Sequence, residues 1–182
     1  MKLAILGVGA VLAAPVAWSG TYLDADWAAK VCDAWNKSET LTSKLAGDWM
    51  ANDGDRGYKT IRIYRDECGS DSAVELTISS SKDGKLAECV YGGKPTDKDL
   101  DGSMDYLMHA TYADWQCMGR GDWGCGAMGA MMSGKLKFEG PKMEAMSVMA
   151  PFDAFLQLMD DIPGDADRCP TLPAKESEAK AE

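Results

Sequence analysis

Methionine is the side chain whose number and spacing first suggest chemistry. Ten of the twelve methionines fall between Met104 and Met159, and Met143, Met146 and Met149 step by three residues. A thioether is a soft ligand, so one chemistry open to this segment is copper(I) binding. The same step lays three flexible apolar groups along a helix, where they fill irregular gaps in a core or line a cavity for an apolar guest. Core packing is the plainer reading, and it accounts for the spacing without a metal. With Trp115, Trp123, Phe138, Phe152, Phe155 and Leu156, the methionines make the second half of the chain soft and apolar.

Other reactive groups point away from catalysis. Cys32, Cys68, Cys89, Cys117, Cys125 and Cys169 form an even set without a Cys-x-x-Cys spacing, and His109 is the single histidine. Zinc ligation is therefore not expected, and disulfides are. There is no Gly-x-Ser-x-Gly, and His109 lies between apolar residues with no serine or cysteine placed by motif to serve it. Gly119-Arg120-Gly121 lacks the Lys-Ser/Thr ending of a phosphate loop. Asp97, Asp99 and Asp101 space like half of a calcium loop, read here without the glycine at position six or the glutamate at position twelve that complete one. They read as a solvated loop. No cofactor is implied, and a dithiol oxidoreductase is the enzyme class that the cysteines leave open.

The elements that must position these groups follow from periodicity. Before them, Lys2, the uncharged run Leu3 to Ala17 and the small residues of Ala17-Trp18-Ser19 have the layout of a secretory signal peptide cut near Ser19. Residues 1–19 are expected to leave, 20–170 to fold, and the charged tail 171–182 to stay disordered. Trp27, Val31 and Trp35 give one face of a helix from Asp24 to Asn36, and Leu41, Leu45 and Trp49 a second from Thr40 to Met50. Alternation predicts strands at Tyr58–Arg65, Ala73–Ser80, Leu86–Tyr91, Asp105–Thr111 and Lys135–Glu139, with Asp83-Gly84 turning a hairpin. Tyr112 to Met118 reads as a short helix and the five-glycine stretch Gly119–Gly129 as a loop. Lys142 to Met159 reads as helical with a break at Pro151. The meander of the first three strands favours Cys68–Cys89. Cys117–Cys125 is local, and elimination leaves Cys32–Cys169.

Net charge is −10, which repels phosphate backbones and disfavours nucleic acid as a partner. An exported chain with paired cysteines belongs in a periplasm or outside the cell.

One segment resembles a known family. Met131-Met132-Ser133-Gly134-Lys135-Leu136-Lys137-Phe138-Glu139-Gly140, followed by a helix, looks like the Gly-Lys-Leu strand and final helical segment of the sterol carrier protein 2 family. The order of elements over about residues 25 to 160 is similar too. The resemblance implies an α+β fold, a five-stranded sheet covered by helices with an apolar tunnel between, and non-covalent binding of sterols, acyl chains or phospholipids. It carries Gly134, Lys135 and Gly140 over as motif positions only. The glycine-rich stretch 119–129 is shorter than its counterpart in the carriers.

The expectation is an exported, monomeric, non-enzymatic lipid or sterol carrier, with transient membrane contact. Met143, Met146, Met149, Phe152, Phe155 and Met159 are its wall candidates from the last segment. Met128, Met131, Met132 and Phe138 line the strand side, with Trp115 or Trp123 at the mouth. The rivals are a ligand-free interaction domain of the same fold and a methionine-based copper(I) carrier.

Overall fold

The computed structural model describes residues 20–96 and 98–170, so the expected signal peptide, the charged tail and Asp97 lie outside the described residues. Five strands form one mixed sheet: β1 (Tyr58–Arg65), β2 (Val74–Ser80), β3 (Ala87–Gly93), β4 (Tyr106–Ala110) and β5 (Lys137–Glu139), in the order β3-β2-β1-β4-β5. β1 pairs antiparallel with β2 and parallel with β4; the remaining pairs are antiparallel. With helices packed over it, this is the α+β architecture expected.

Alternation decides what each face of the sheet does. Ile61, Ile63, Leu76, Ile78 and Met108 are buried toward the helices. On the other face Tyr64 stacks on His109, with ring centroids 4.5 Å apart. Lys59 and Arg65 share the parity of Ile61 and Ile63, so two cations are buried at the two ends of β1. Arg65 is used structurally: its guanidinium donates to the Ala166 and Arg168 carbonyls and ties down the segment after the last helix.

Besides two short 3-10 turns, Asp66–Cys68 and Ser70–Ser72, the described residues form seven α-helices: α1 (Ala25–Trp35), α2 (Glu39–Lys44), α3 (Asp48–Ala51), α4 (Tyr112–Gly119), α5 (Ala127–Ser133), α6 (Lys142–Ser147) and α7 (Met149–Asp161). Asp24 starts α1 by accepting from the Trp27 amide at 2.8 Å, and the expected face of Trp27, Val31 and Trp35 is buried. Thr111 caps α4. The helix expected over Thr40–Met50 is two, α2 and α3, separated at Leu45–Gly47. Leu41, Leu45 and Trp49 are nevertheless all buried, so the pattern reported the buried side while Gly47 interrupted the backbone.

Further expectations need correction. The glycine-rich stretch is not loop to its end, because α5 begins at Ala127. Its Ala127 amide donates to the Asp153 carboxylate of α7 at 2.6 Å, a cap from a distant helix. A Cβ at Gly129 would stand 2.7 Å from the Gly124 carbonyl oxygen, so glycine there serves close approach rather than disorder. The break in the last segment falls at Val148, not Pro151. Pro151 sits in the first turn of α7, where its missing N–H leaves no helical bond unmade.

The disulfides are Cys32–Cys89, Cys68–Cys169 and Cys117–Cys125. Only the third is the pairing expected. β2 lies between β1 and β3, so a residue just beyond β1 is about two strand spacings, ~9.6 Å, from β3. That exceeds the ~7 Å Cα limit of a disulfide. Cys89 instead faces α1, which packs so tightly on β3 that a Cβ at Gly92 would stand 2.4 Å from the Ala28 carbonyl oxygen. Cys68 meets Cys169 on the strap that Arg65 holds. Three such bonds fit an oxidising environment.

Candidate functional site

The helix layer opens where α2 and α3 face the junction of α6 and α7. A cleft of about 480 Å³ lies there. Trp49, Val148, Ala150 and Pro151 give it apolar walls, and Thr40, Lys44, Asp48 and Ser147 a polar rim. The geometry comes from two interruptions already described. Gly47 turns the chain between α2 and α3, and Val148 separates α6 from α7.

Behind Trp49 lies a buried polar cluster. The Lys59 ammonium, fully buried, donates to Glu144 Oε1 at 2.5 Å and to the Trp49 carbonyl at 3.2 Å. It also stands 4.8 Å from the Trp49 ring and 5.3 Å from the Tyr106 ring. The Tyr106 hydroxyl donates to the same Glu144 oxygen at 2.8 Å and accepts from the Trp49 indole at 2.9 Å. Asn52 donates to the other oxygen at 2.5 Å. Burial lowers the Lys59 pKa, and the bond to Glu144 offsets only part of that. Burial likewise raises that of Tyr106, and the Glu144 carboxylate adds to it. The Tyr106 ring in turn packs edge-on against Trp49 and Phe138 and tilts against Phe152.

The residues expected to line a cavity divide into two groups. Phe152, Phe155 and Met159 are buried, Phe138 is half-buried, and the rings of Phe152 and Phe155 lie 5.1 Å apart. Trp115 is wholly buried, its indole donating to the Tyr64 carbonyl at 3.1 Å, and stands in the core rather than at an opening. Met131 and Met149 are half-buried. Met128, Met132, Met143 and Met146 stand exposed, Met132 and Met143 by 83% and 80%, and Trp123 is fully in solvent. The space between sheet and helices where a tunnel is expected holds Trp35, Trp49, Tyr106 and Phe155, all buried.

Elsewhere the polar groups are engaged structurally. His109 Nδ1 shares a 2.5 Å hydrogen bond with Asp66, which also pairs with Lys137. This triplet lies on the face of the sheet away from the cleft. Met149 begins α7 while Met143 and Met146 belong to α6, so the three thioethers do not follow one helix. Among the described residues no cluster of His, Cys, Asp and Glu could hold a metal, and no cysteine is free. Gly102 does occupy the sixth place of the calcium-like run, but Met108 at the twelfth is a buried residue of β4 and Asp105 at the ninth is bound to Arg56. No described helix is long and apolar enough to cross a membrane.

Lys59, Trp49, Tyr106 and Glu144 were not among the site residues expected from sequence. A signal for Lys59 existed, since it falls two residues before Ile61 on the inward face of a clear alternation. Nothing local marks Glu144 as its partner.

Neither a family model nor a curated protein matches the sequence. Solved structures similar to it include a crystal structure of sterol carrier protein 2, 20% identical with a TM-score of 0.46, covering 78% of this chain and 98% of that one. They also include the apo form of sterol carrier protein 2 from Yarrowia lipolytica, 14% identical with a TM-score of 0.37, covering 76% of this chain and 98% of that one. A third is the solution structure of a conserved hypothetical protein from Thermus thermophilus, 20% identical with a TM-score of 0.35, covering 79% of this chain and 91% of that one.

Proposed function

We propose that this chain is a non-catalytic carrier of apolar small molecules, a lipid or a sterol, working as an exported monomer that touches membranes transiently. The observation that carries the reading is the cleft between α2–α3 and α6–α7. Its volume, about 480 Å³, lies within the ~300–1,000 Å³ of small-molecule sites, and its apolar walls with a few polar groups at the rim suit an amphiphile. Each Å² of apolar guest taken from water contributes about 25 cal/mol. The exposed thioethers of Met143 and Met146 supply an adaptable lip. Phe138, Phe152 and Phe155 form deeper walls, reached by movement at the Val148 junction. The likeness of Met131–Gly140 to the carriers' strand motif supports the same reading.

Native mass spectrometry of the oxidised protein after incubation with mixed lipids, followed by organic extraction, tests it. The expected result is a bound species extracting as a lipid or sterol. Ala150→Glu places a charge in the cleft at an exposed position, so uptake is lost while stability changes by no more than about 0.5 kcal/mol. Unchanged uptake by that variant moves the guest elsewhere.

A second reading, a ligand-free interaction domain, is favoured by one observation: aromatic side chains fill the space between sheet and helices. A protein still free of ligand after the incubation selects it.

A further inference from the structure

We infer that Glu144 stands in, from within the chain, for the carboxylate of a guest, and that Lys59 with Tyr106 and Asn52 is the receptor for that carboxylate. The inference rests on the carrier reading above and names the class of guest: an apolar molecule ending in a carboxylate.

The receptor and its present occupant belong to differently held parts of the molecule. Three donors converge on Glu144 from three places, the Lys59 ammonium on β1, the Tyr106 hydroxyl on β4 and the Asn52 amide beyond α3. Each has a second bond that does not involve Glu144. Lys59 donates to the Trp49 carbonyl, Tyr106 accepts from the Trp49 indole, and Asn52 donates to the Ser103 carbonyl. Removing Glu144 therefore leaves the three donors anchored. The occupant rides on α6, where Ala145 is the one buried residue and Met143, Met146 and Ser147 are exposed. Gly140, with φ +141°, and Pro141 precede α6, and Val148 interrupts the chain after it. It is the helix best placed to lift.

The route is apolar and continuous with the cleft. Trp49 is at once a wall of the cleft and the ring against which the Lys59 ammonium rests. Phe138 and Phe152 flank the Tyr106 ring, which also neighbours that ammonium. A guest whose tail occupies these walls brings its carboxylate to the donors that now hold Glu144. An uncharged alcohol of the same length displaces Glu144 without replacing its charge, and a buried ammonium left unpaired is heavily penalised. The site therefore selects carboxylates over alcohols.

Calorimetric titration of the oxidised protein with dodecanoate and with dodecan-1-ol, at neutral pH, tests this. The wild type is expected to bind dodecanoate at least about tenfold more tightly than dodecan-1-ol, the scale of one charge-assisted hydrogen bond. Glu144→Gln keeps the shape of the side chain and an acceptor for Lys59 but removes the competing charge. It is expected to bind dodecanoate about tenfold more tightly than the wild type, and dodecan-1-ol, which displaces the same side chain, more tightly as well, with the preference for dodecanoate kept. In Lys59→Met the preference disappears; where that variant does not fold, the Glu144→Gln titrations decide alone. Equal binding of the two ligands by wild type and Glu144→Gln overturns the inference and leaves the carrier reading standing. No binding of either ligand by either protein overturns both.

Discussion

Asp105 shows how much one carboxylate organises. It accepts from both Nη atoms of Arg56 at 3.0 and 2.9 Å, from the Thr60 amide at 2.8 Å and from the Asp101 amide at 2.9 Å. Burial pushes its pKa up, but the bonds from Arg56 and the two amides outweigh that and hold it below the usual range. A carboxyl whose folded pKa is depressed contributes stability above its unfolded value, ~3.9, and loses that contribution as pH falls through the folded value. Asp105→Asn is therefore expected to cost about 2–3 kcal/mol at pH 7. The gap to the wild type should narrow when urea unfolding is repeated near pH 3. Lys59 has the opposite sign. Its depressed pKa means that the folded state sheds the proton first, so its charge weighs against folding at every pH below the folded value and is relieved only as pH rises toward the unfolded value of ~10.4. Glu144→Ala strands that charge, and a loss of about 3–5 kcal/mol in chemical unfolding is expected. Much of the site at this scale was hidden in the sequence. The inward position of Lys59 is readable from the β1 alternation, but its carboxylate partner lies 85 residues away and no local pattern names it.

Among the elements, the strands and α1 were the most legible, because a two-residue or 3.6-residue period states which face is buried. β1 was placed to the residue, and α7 was visible as an apolar helical stretch. What escaped depended on distant contacts. α5 owes its start to Asp153 of α7, and the glycines preceding it looked like loop. The disulfide pairing required the sheet order, which periodicity does not contain. The methionines were read as one apolar lining, yet Met143 and Met132 face solvent while Phe152 and Phe155 fill the core. A helix pattern gives a stripe, not the depth to which each side chain goes. The contact of α1 with β3 provides a test at this scale. A Cβ at Gly92 would meet the Ala28 carbonyl carbon at 2.8 Å and the Cys32 Cβ at 2.8 Å. Gly92→Ala must push the helix from the strand, and a loss of about 1–3 kcal/mol is expected in urea unfolding.

The whole molecule is closed by covalent links of very different span. Cys68–Cys169 joins residues 101 apart, Cys32–Cys89 57 apart and Cys117–Cys125 8 apart. Chain-entropy reasoning gives about 4.7 kcal/mol for a loop of ~100 residues and roughly half that for the shortest. Paired Cys→Ser variants are expected to lose stability in that order, which guanidinium unfolding would rank. The same strap brings the two limits of the described chain together. The Asp165 amide donates to the Gly20 carbonyl and the Tyr22 amide to the Asp165 carbonyl, both at 2.9 Å. This junction lies beside the Arg65 end of β1, while the Lys59 end points to the cleft, about 20 Å along the strand at ~3.3 Å per residue. The molecule is accordingly suited to circular permutation. Residues 20 and 170 could be joined by a linker that keeps Cys169 and its bond to Cys68, and new ends opened at the exposed Asp83-Gly84 turn. A label, a surface or a fused domain attached beside this junction would sit across the molecule from the cleft and leave it unobstructed.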